Sequence, residues 1–95
     1  MNTVLKTQYY RAKRKYHCSG AEQLIESGIM NDPKGFGVSY EDMRTLVNIR
    51  KEDYMILPGT KYVYQVGTND NAFYAIKVRA DAFNIIIKYN LYDDF

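Results

Sequence analysis

Ninety-five residues with 46% hydrophobic and 25% charged side chains describe one small domain with a modest core, and exclude a disordered or fibrous chain. A single cysteine excludes an internal disulfide framework and fits a reducing compartment. The formal net charge of +2 conceals a polarised molecule: residues 1–17 carry five cations and no acid, whereas the rest holds eight Lys/Arg against eleven Asp/Glu.

In that opening stretch Lys6, Arg11, Lys13, Arg14 and Lys15 interleave with Tyr9, Tyr10 and Tyr16, and the run closes on the only histidine and cysteine, His17 and Cys18. Val4 to Tyr16 reads as a strand followed by a loop, because β-branched and tyrosine residues come first and the cationic run after them. Cations neutralise phosphates and tyrosine rings offer stacking faces, a pairing that suits RNA or single-stranded DNA. A plain solvated basic strand or tail has the same composition.

Ser19 and Glu22 stand at capping-box spacing ahead of Ala21, Leu24 and Ile25, which predicts a helix from Ala21 to Ser27 stopped by Gly28. Residues 28–38, with three glycines and a proline, read as a loop. Ser39 then caps a longer helix with Glu41 and Asp42 in its first turn. Its apolar stripe is Tyr40, Met43, Leu46, Val47 and Arg50, and it should end near Glu52. Glu22, Glu26, Glu41, Asp42, Glu52 and Asp53 cluster on these two helices. They read as a solvated face, with imitation of phosphates as the alternative.

Tyr54–Leu57 reads as a short strand, followed by a turn at Pro58-Gly59. Lys61–Val66 and Phe73–Arg79 form a hairpin around the polar run Gly67–Asn71. Tyr74, Ile76 and Val78 alternate with Ala75, Lys77 and Arg79, so one face should be buried and the other wet. Lys77 and Arg79 on the wet face would extend the basic patch. Asp81 caps a last helix, Ala82 to Tyr92, with Phe83, Ile86 and Ile87 on one side and Ile85 and Tyr89 widening the apolar surface. The order predicts a single α+β domain over 1–95, with an antiparallel hairpin or short sheet packed on two or three helices. Within it, 1–17 is a basic arm or first strand, 18–53 the helical part and 54–95 the strand-hairpin-helix part.

Enzyme chemistry lacks its parts. His17 and Cys18 are neighbours on an extended chain and point to opposite faces, which prevents an efficient proton exchange between them. No GxSxG, phosphate-loop or HExxH pattern occurs, Gly35-Phe36-Gly37 lacks the Lys-Ser/Thr of a phosphate cradle, and Asp93-Asp94 read as solvated charge. A structural zinc needs four Cys/His donors, and the partner of Cys18 in a Cys-x-x-Cys pair would fall on Ala21. No metal, cofactor or small-molecule substrate is therefore expected, short of two chains pooling His17 and Cys18. There is no apolar leader, and the longest aliphatic run is Ile85-Ile86-Ile87. Neither a signal peptide nor a membrane span is expected, and the predicted location is the cytoplasm.

The run Arg11-Ala-Lys13-Arg14-Lys15-Tyr16-His17-Cys18-Ser-Gly-Ala21 resembles the opening of small bacterial and phage zinc-knuckle proteins, Arg-Lys-Ala-Arg-Lys-x-x-Cys-x-x-Cys. Lys61-Tyr62-Val63, Phe73–Ala80 and the helix from Asp81 are similar to their hairpin and ligand-bearing helix. The resemblance covers about two thirds of the chain in pieces. It implies a treble-clef-like scaffold whose metal has given way to apolar packing, since Ala21, Phe83, Ile86 and Ile87 stand where ligands would be. It also implies a phage or mobile-element origin and a nucleic-acid-related setting. Two functions are expected on this basis. The first is a non-enzymatic inhibitor of a host nucleic-acid-handling machine, similar to anti-CRISPR proteins, that contacts a CRISPR effector or its guide RNA in the host cytoplasm. The alternative is a direct RNA or single-strand binding module. For either, the expected contact residues are Lys6, Tyr9, Tyr10, Arg11, Lys13, Arg14, Lys15, Tyr16, Lys77 and Arg79.

Overall fold

The computed structural model describes residues 2–70 and 72–91, with side chains from Val4 onward. They form β1 (Asn2–Arg11), β2 (Tyr16–His17), α1 (Ala21–Glu26), α2 (Tyr40–Lys51), β3 (Met55–Ile56), β4 (Lys61–Asn69), β5 (Ala72–Arg79) and α3 (Ala80–Lys88). This is the α+β domain that the sequence predicts. The last helix is shorter than expected: it starts at Ala80 without an Asp81 cap and ends at Lys88, where Tyr89 closes it and Asn90 turns the chain at φ +54, short of Tyr92. Asp93-Asp94 lie outside the described residues.

A three-stranded antiparallel sheet in the order β1-β4-β5 dominates the fold, and β2 and β3 pair separately. The first part of the basic arm is thus an edge strand, β1, paired with β4 from Asn2 to Arg11 except at Leu5. The cationic run Lys13–Lys15 follows in a loop, the strand-then-loop order that the sequence predicts. Pairing continues past the end of β1: the Ala12 amide donates to the Thr60 carbonyl at 2.9 Å and the Gly59 amide to Ala12 at 2.8 Å. The turn there is closed by Thr60 N–H on the Leu57 carbonyl, with Pro58 and Gly59 at its centre. Gly59 takes φ +86, the positive value that a type II turn requires after proline.

Because strand side chains alternate, register assigns each residue to a face. Tyr9, Val63 and Val78 stand in one row, with Thr7, Gln65 and Ile76 in the next on the same side. This side is the core face: Val63 and Val78 join Ala82, Phe83 and Ile86 of α3 in one buried cluster. Leu46 and Ile49 of α2, Leu24 of α1 and Ile56 complete that cluster. Gly20 lies at its tightest point, where a Cβ would come within 2.8 Å of Val78 Cγ1 and 2.9 Å of Ile86 Cδ1. The opposite side carries Tyr10, Tyr62 and Arg79 in one row and Gln8, Tyr64 and Lys77 in the next. The molecule measures 38 × 32 × 16 Å, a short axis that fits one layer of helices on one sheet.

Local chemistry moves several element ends. The first helix begins at Ala21 as expected, but its N-cap is Gly20, with no side-chain cap, in place of a Ser19 capping box. Ser19 is used otherwise, its amide donating to the Lys77 carbonyl at 2.8 Å and fastening this segment along β5. Within the expected loop 28–38, Pro33–Phe36 forms a 3-10 turn, with Asp32 Oδ1 accepting from the Gly35 amide. The polar run after Val66 does not loop out, since β4 continues to Asn69 and β5 starts at Ala72. In α2 the buried residues are Leu46 and Ile49, whereas Tyr40 and Val47 face solvent. The helix ends through Asp53 and Tyr54, both at positive φ, which turns the chain back so that Met55–Ile56 meets Tyr16–His17.

Ser39 caps α2 as the sequence predicts, with Oγ accepting from the Asp42 amide at 3.2 Å. Replacing Ser39 with alanine removes that acceptor and should lower stability by about 1 kcal/mol in urea unfolding. A loss below about 0.3 kcal/mol would show that water replaces the cap at no cost.

Candidate nucleic-acid interface

None of the five strands carries an aspartate or glutamate, while they hold Lys6, Arg11, Lys61, Lys77 and Arg79 and six of the ten tyrosines. Every described carboxylate lies in a helix, turn or loop. Charge in this molecule is therefore sorted by secondary structure, and the sheet is its cationic, aromatic part.

On the side away from α3 the tyrosines touch. Tyr10 lies 5.8 Å from Tyr62 between ring centroids and 6.4 Å from Tyr64, edge to face in the second case. Tyr16 reaches Tyr62 from β2 at 5.6 Å. These separations are the favourable range for aromatic pairs. Tyr62 is buried beneath its neighbours, and that burial holds its phenol above the ordinary range, so it stays neutral. Tyr10 is exposed, and its hydroxyl donates to Gln8 Oε1 two residues back on the same face. Around the rings stand cations: Lys77 Nζ lies 3.9 Å and the Arg14 guanidinium 5.4 Å from the Tyr16 centroid. Lys6 shares this side through its pairing with Val66, reached after an irregularity that leaves Leu5 unpaired.

The contact residues expected from the sequence thus divide into groups. Lys6, Tyr10, Arg14, Tyr16 and Lys77 come together on the tyrosine side. Tyr9 and Arg11 point to the core side of the sheet, near its rim. There Lys61 Nζ lies 5.0 Å from the Tyr9 ring, and Arg11 Nη1 donates to the Gly59 carbonyl at 2.9 Å. Lys13 and Lys15 are exposed in the loop between β1 and β2. Arg79 is the exception to the predicted wet face. Its register puts it on the tyrosine side, but at the end where β2 and β3 pack on β5, and it is 3% exposed.

There Arg79 donates from Nε and Nη2 to the two Asp81 oxygens, each at 3.0 Å, and from Nη1 to Glu52 Oε1 at 2.8 Å. Nη1 also reaches the Met55 carbonyl at 3.0 Å. Arg79 belongs to the architecture and leaves the contact set. Tyr62 and Tyr64 are the members that sequence reading did not find. Their partners are set by pairing between β1 and β4, about fifty positions apart, which no local pattern reveals.

Asp42 and Cys18 are taken up by internal contacts. Asp42 accepts from Lys88 Nζ at 2.7 Å and from the Tyr89 hydroxyl at 2.6 Å, which hold its carboxyl below the usual range. It lines a cleft of about 140 Å³ with Thr45, Asp81, Asn84, Ile85 and Lys88, smaller than ligand pockets of about 300–1,000 Å³. Cys18 is buried against the Arg79 amide while His17 is exposed, and burial pushes the Cys18 thiol up, away from the thiolate. Among the described residues no three His, Cys, Asp or Glu side chains group as metal ligands, and no helix is long and apolar enough to cross a membrane.

No protein-family model, curated protein or solved structure matches this chain.

Proposed function

We propose that this protein is a non-enzymatic binder of single-stranded nucleic acid that lays the strand over the tyrosine side of its sheet. The observation that carries this reading is the separation of charge: a carboxylate-free sheet bears the clustered rings of Tyr10, Tyr62 and Tyr64, with Arg14, Lys77 and Lys6 around them. A polyanion with flat, unpaired bases is the ligand that matches both properties. Duplexes conceal their base faces, so single strands fit this surface better.

The test is fluorescence anisotropy with labelled RNA, single-stranded DNA and duplex of equal length. Single strands should bind more tightly than duplex, and binding should weaken as salt rises. Tyr10→Ala should cost about 1–3 kcal/mol, the usual worth of one base stacked on one ring. Tyr40→Ala should change nothing, although that ring is 75% exposed, because it stands on α2. Equal affinity for duplex, or equal losses from both substitutions, would sink the reading.

A second reading draws on the acidic side of the same separation. Glu22, Glu26, Glu41 and Asp53 are exposed on or beside α1 and α2, so one molecule can offer its strands to RNA and its helices to basic protein. Docking in this way on a ribonucleoprotein, such as a CRISPR effector with its guide, would make it an inhibitor of the anti-CRISPR kind. In the same assay, free RNA bound without any protein partner favours the first reading.

A further inference from the structure

Tyr16 differs from the other exposed-side tyrosines in what covers it. Two cations gather on its ring, Lys77 at 3.9 Å and Arg14 at 5.4 Å from the centroid, while Tyr62 packs on it at 5.6 Å. A ring so occupied has little surface left for a base. Its neighbours Tyr10 and Tyr64 meet edge to face, and among the described residues no cation lies on either ring.

The two cations come from distant parts of the chain. Arg14 lies in the loop before β2, and Lys77 lies on β5 opposite Tyr64. They meet because Tyr16 pairs with Ile56 and the Ser19 amide is fixed to the Lys77 carbonyl. Among the described residues neither has a carboxylate partner, unlike Arg79 with Asp81 and Glu52 or Lys88 with Asp42. An aromatic face holds a cation in place without neutralising it. Much of the ordering cost of a long cationic side chain is then met before any ligand arrives.

We propose that Arg14 and Lys77, gathered on Tyr16, form a two-cation site for the phosphodiester backbone of a bound single strand. Tyr16 is its positioning residue, and the bases lie beside it on Tyr10 and Tyr64. The proposal rests on the nucleic-acid reading above and adds to it which groups take phosphate and which take bases.

The experiment is the salt dependence of binding to a fluorescein-labelled oligouridylate of about ten nucleotides, within the range that small single-strand sites cover. On a plot of log affinity against log salt, Arg14→Met and Lys77→Met should each flatten the slope by about 0.7, the value for one ion pair on a single strand. Lys61→Met removes the same charge from the opposite side, beside Tyr9, and should leave the slope unchanged. Tyr16→Leu should weaken binding about two- to fivefold, and Tyr16→Phe should not, because the ring face and not the hydroxyl holds the cations.

Equal flattening by all three Met variants would overturn the site in favour of diffuse attraction. Equal effects of Tyr16→Leu and Tyr16→Phe would overturn the positioning role. Wild-type protein that binds no oligouridylate at low salt would overturn the underlying reading as well, so the two failures are distinct. Melting temperatures check folding. Arg14 is exposed, so its variant carries the test alone if Lys77→Met does not fold.

Discussion

Replacing Arg79 with methionine is expected to lower the unfolding free energy by about 3 kcal/mol, the low end of the cost of breaking a buried ion pair. The guanidinium is the meeting point of three elements: β5, which it ends, α3, through Asp81, and the end of α2, through Glu52. A nearly fully buried arginine persists only when its donors are used, and here Nε, Nη1 and Nη2 all are. Methionine keeps the stem but leaves Asp81, Glu52 and the Met55 carbonyl without their donor. The cost stays at the low end because the two carboxylates are about a third exposed and can rehydrate. Against a domain stability of about 5–15 kcal/mol this is a large share. Urea denaturation measures it, with Lys61→Met as the exposed control expected within about 0.5 kcal/mol of wild type. Double-mutant cycles should give Arg79 a larger coupling to Asp81, which takes two hydrogen bonds, than to Glu52, which takes one. A loss under about 1 kcal/mol would mean that the arginine is held by packing alone, and the reverse order of couplings would make Glu52, not Asp81, its main partner.

The same residue shows where sequence reading reaches its limit. Period-two alternation in Phe73–Arg79 correctly places Val78 in the core and Lys77 on the other side, but it treats that other side as uniformly wet. A face is wet only as far as nothing else covers it, and the covering here comes from β2 and β3 at one end of β5. Elements with strong local signals were legible: Ser39 with its acidic first turn gave α2, and the Pro58-Gly59 pair gave its turn. Ser19 misled because its amide is claimed by Lys77, a partner 58 residues away. Gly67, Thr68 and Asn69 have turn chemistry, yet they are paired on both sides, with Val4, Thr3 and Asn2 on one strand and Tyr74, Phe73 and Ala72 on the other. The strand-then-loop course of the cationic arm was legible, since β1 ends at Arg11 before the loop that holds Lys13, Arg14 and Lys15, but the company its side chains keep was not. Once it is a strand, alternation sends Tyr9 and Tyr10 to opposite sides, and only long-range pairing supplies Tyr62 and Tyr64 as company for Tyr10.

The isoleucine run of α3 offers the second large expected effect, and it corrects the face assigned to that helix. Phe83, Ile86 and Ile87 do not share a side: Phe83, Ile85 and Ile86 are buried with Ala82, while Ile87 is 53% exposed. At about 100° per residue, the buried arc centres between Ala82 and Ile86, and Ile87 turns past its edge. Ile86 is 1% exposed and reaches the same spot as Val78, above Gly20. Ile86→Ala should therefore cost about 2–5 kcal/mol, the lost transfer energy plus a cavity that the sheet cannot collapse into. Ile87→Ala should stay within about 0.5 kcal/mol. Removing the same atoms from adjacent residues makes side-chain chemistry a constant, so the difference reads position alone. Equal losses would mean that α3 is rotated relative to this packing. A cost at Ile86 below that of Ile87 would contradict the close approach of α3 to Gly20 and Val78, and with it the division of the sheet into a core side and a tyrosine side.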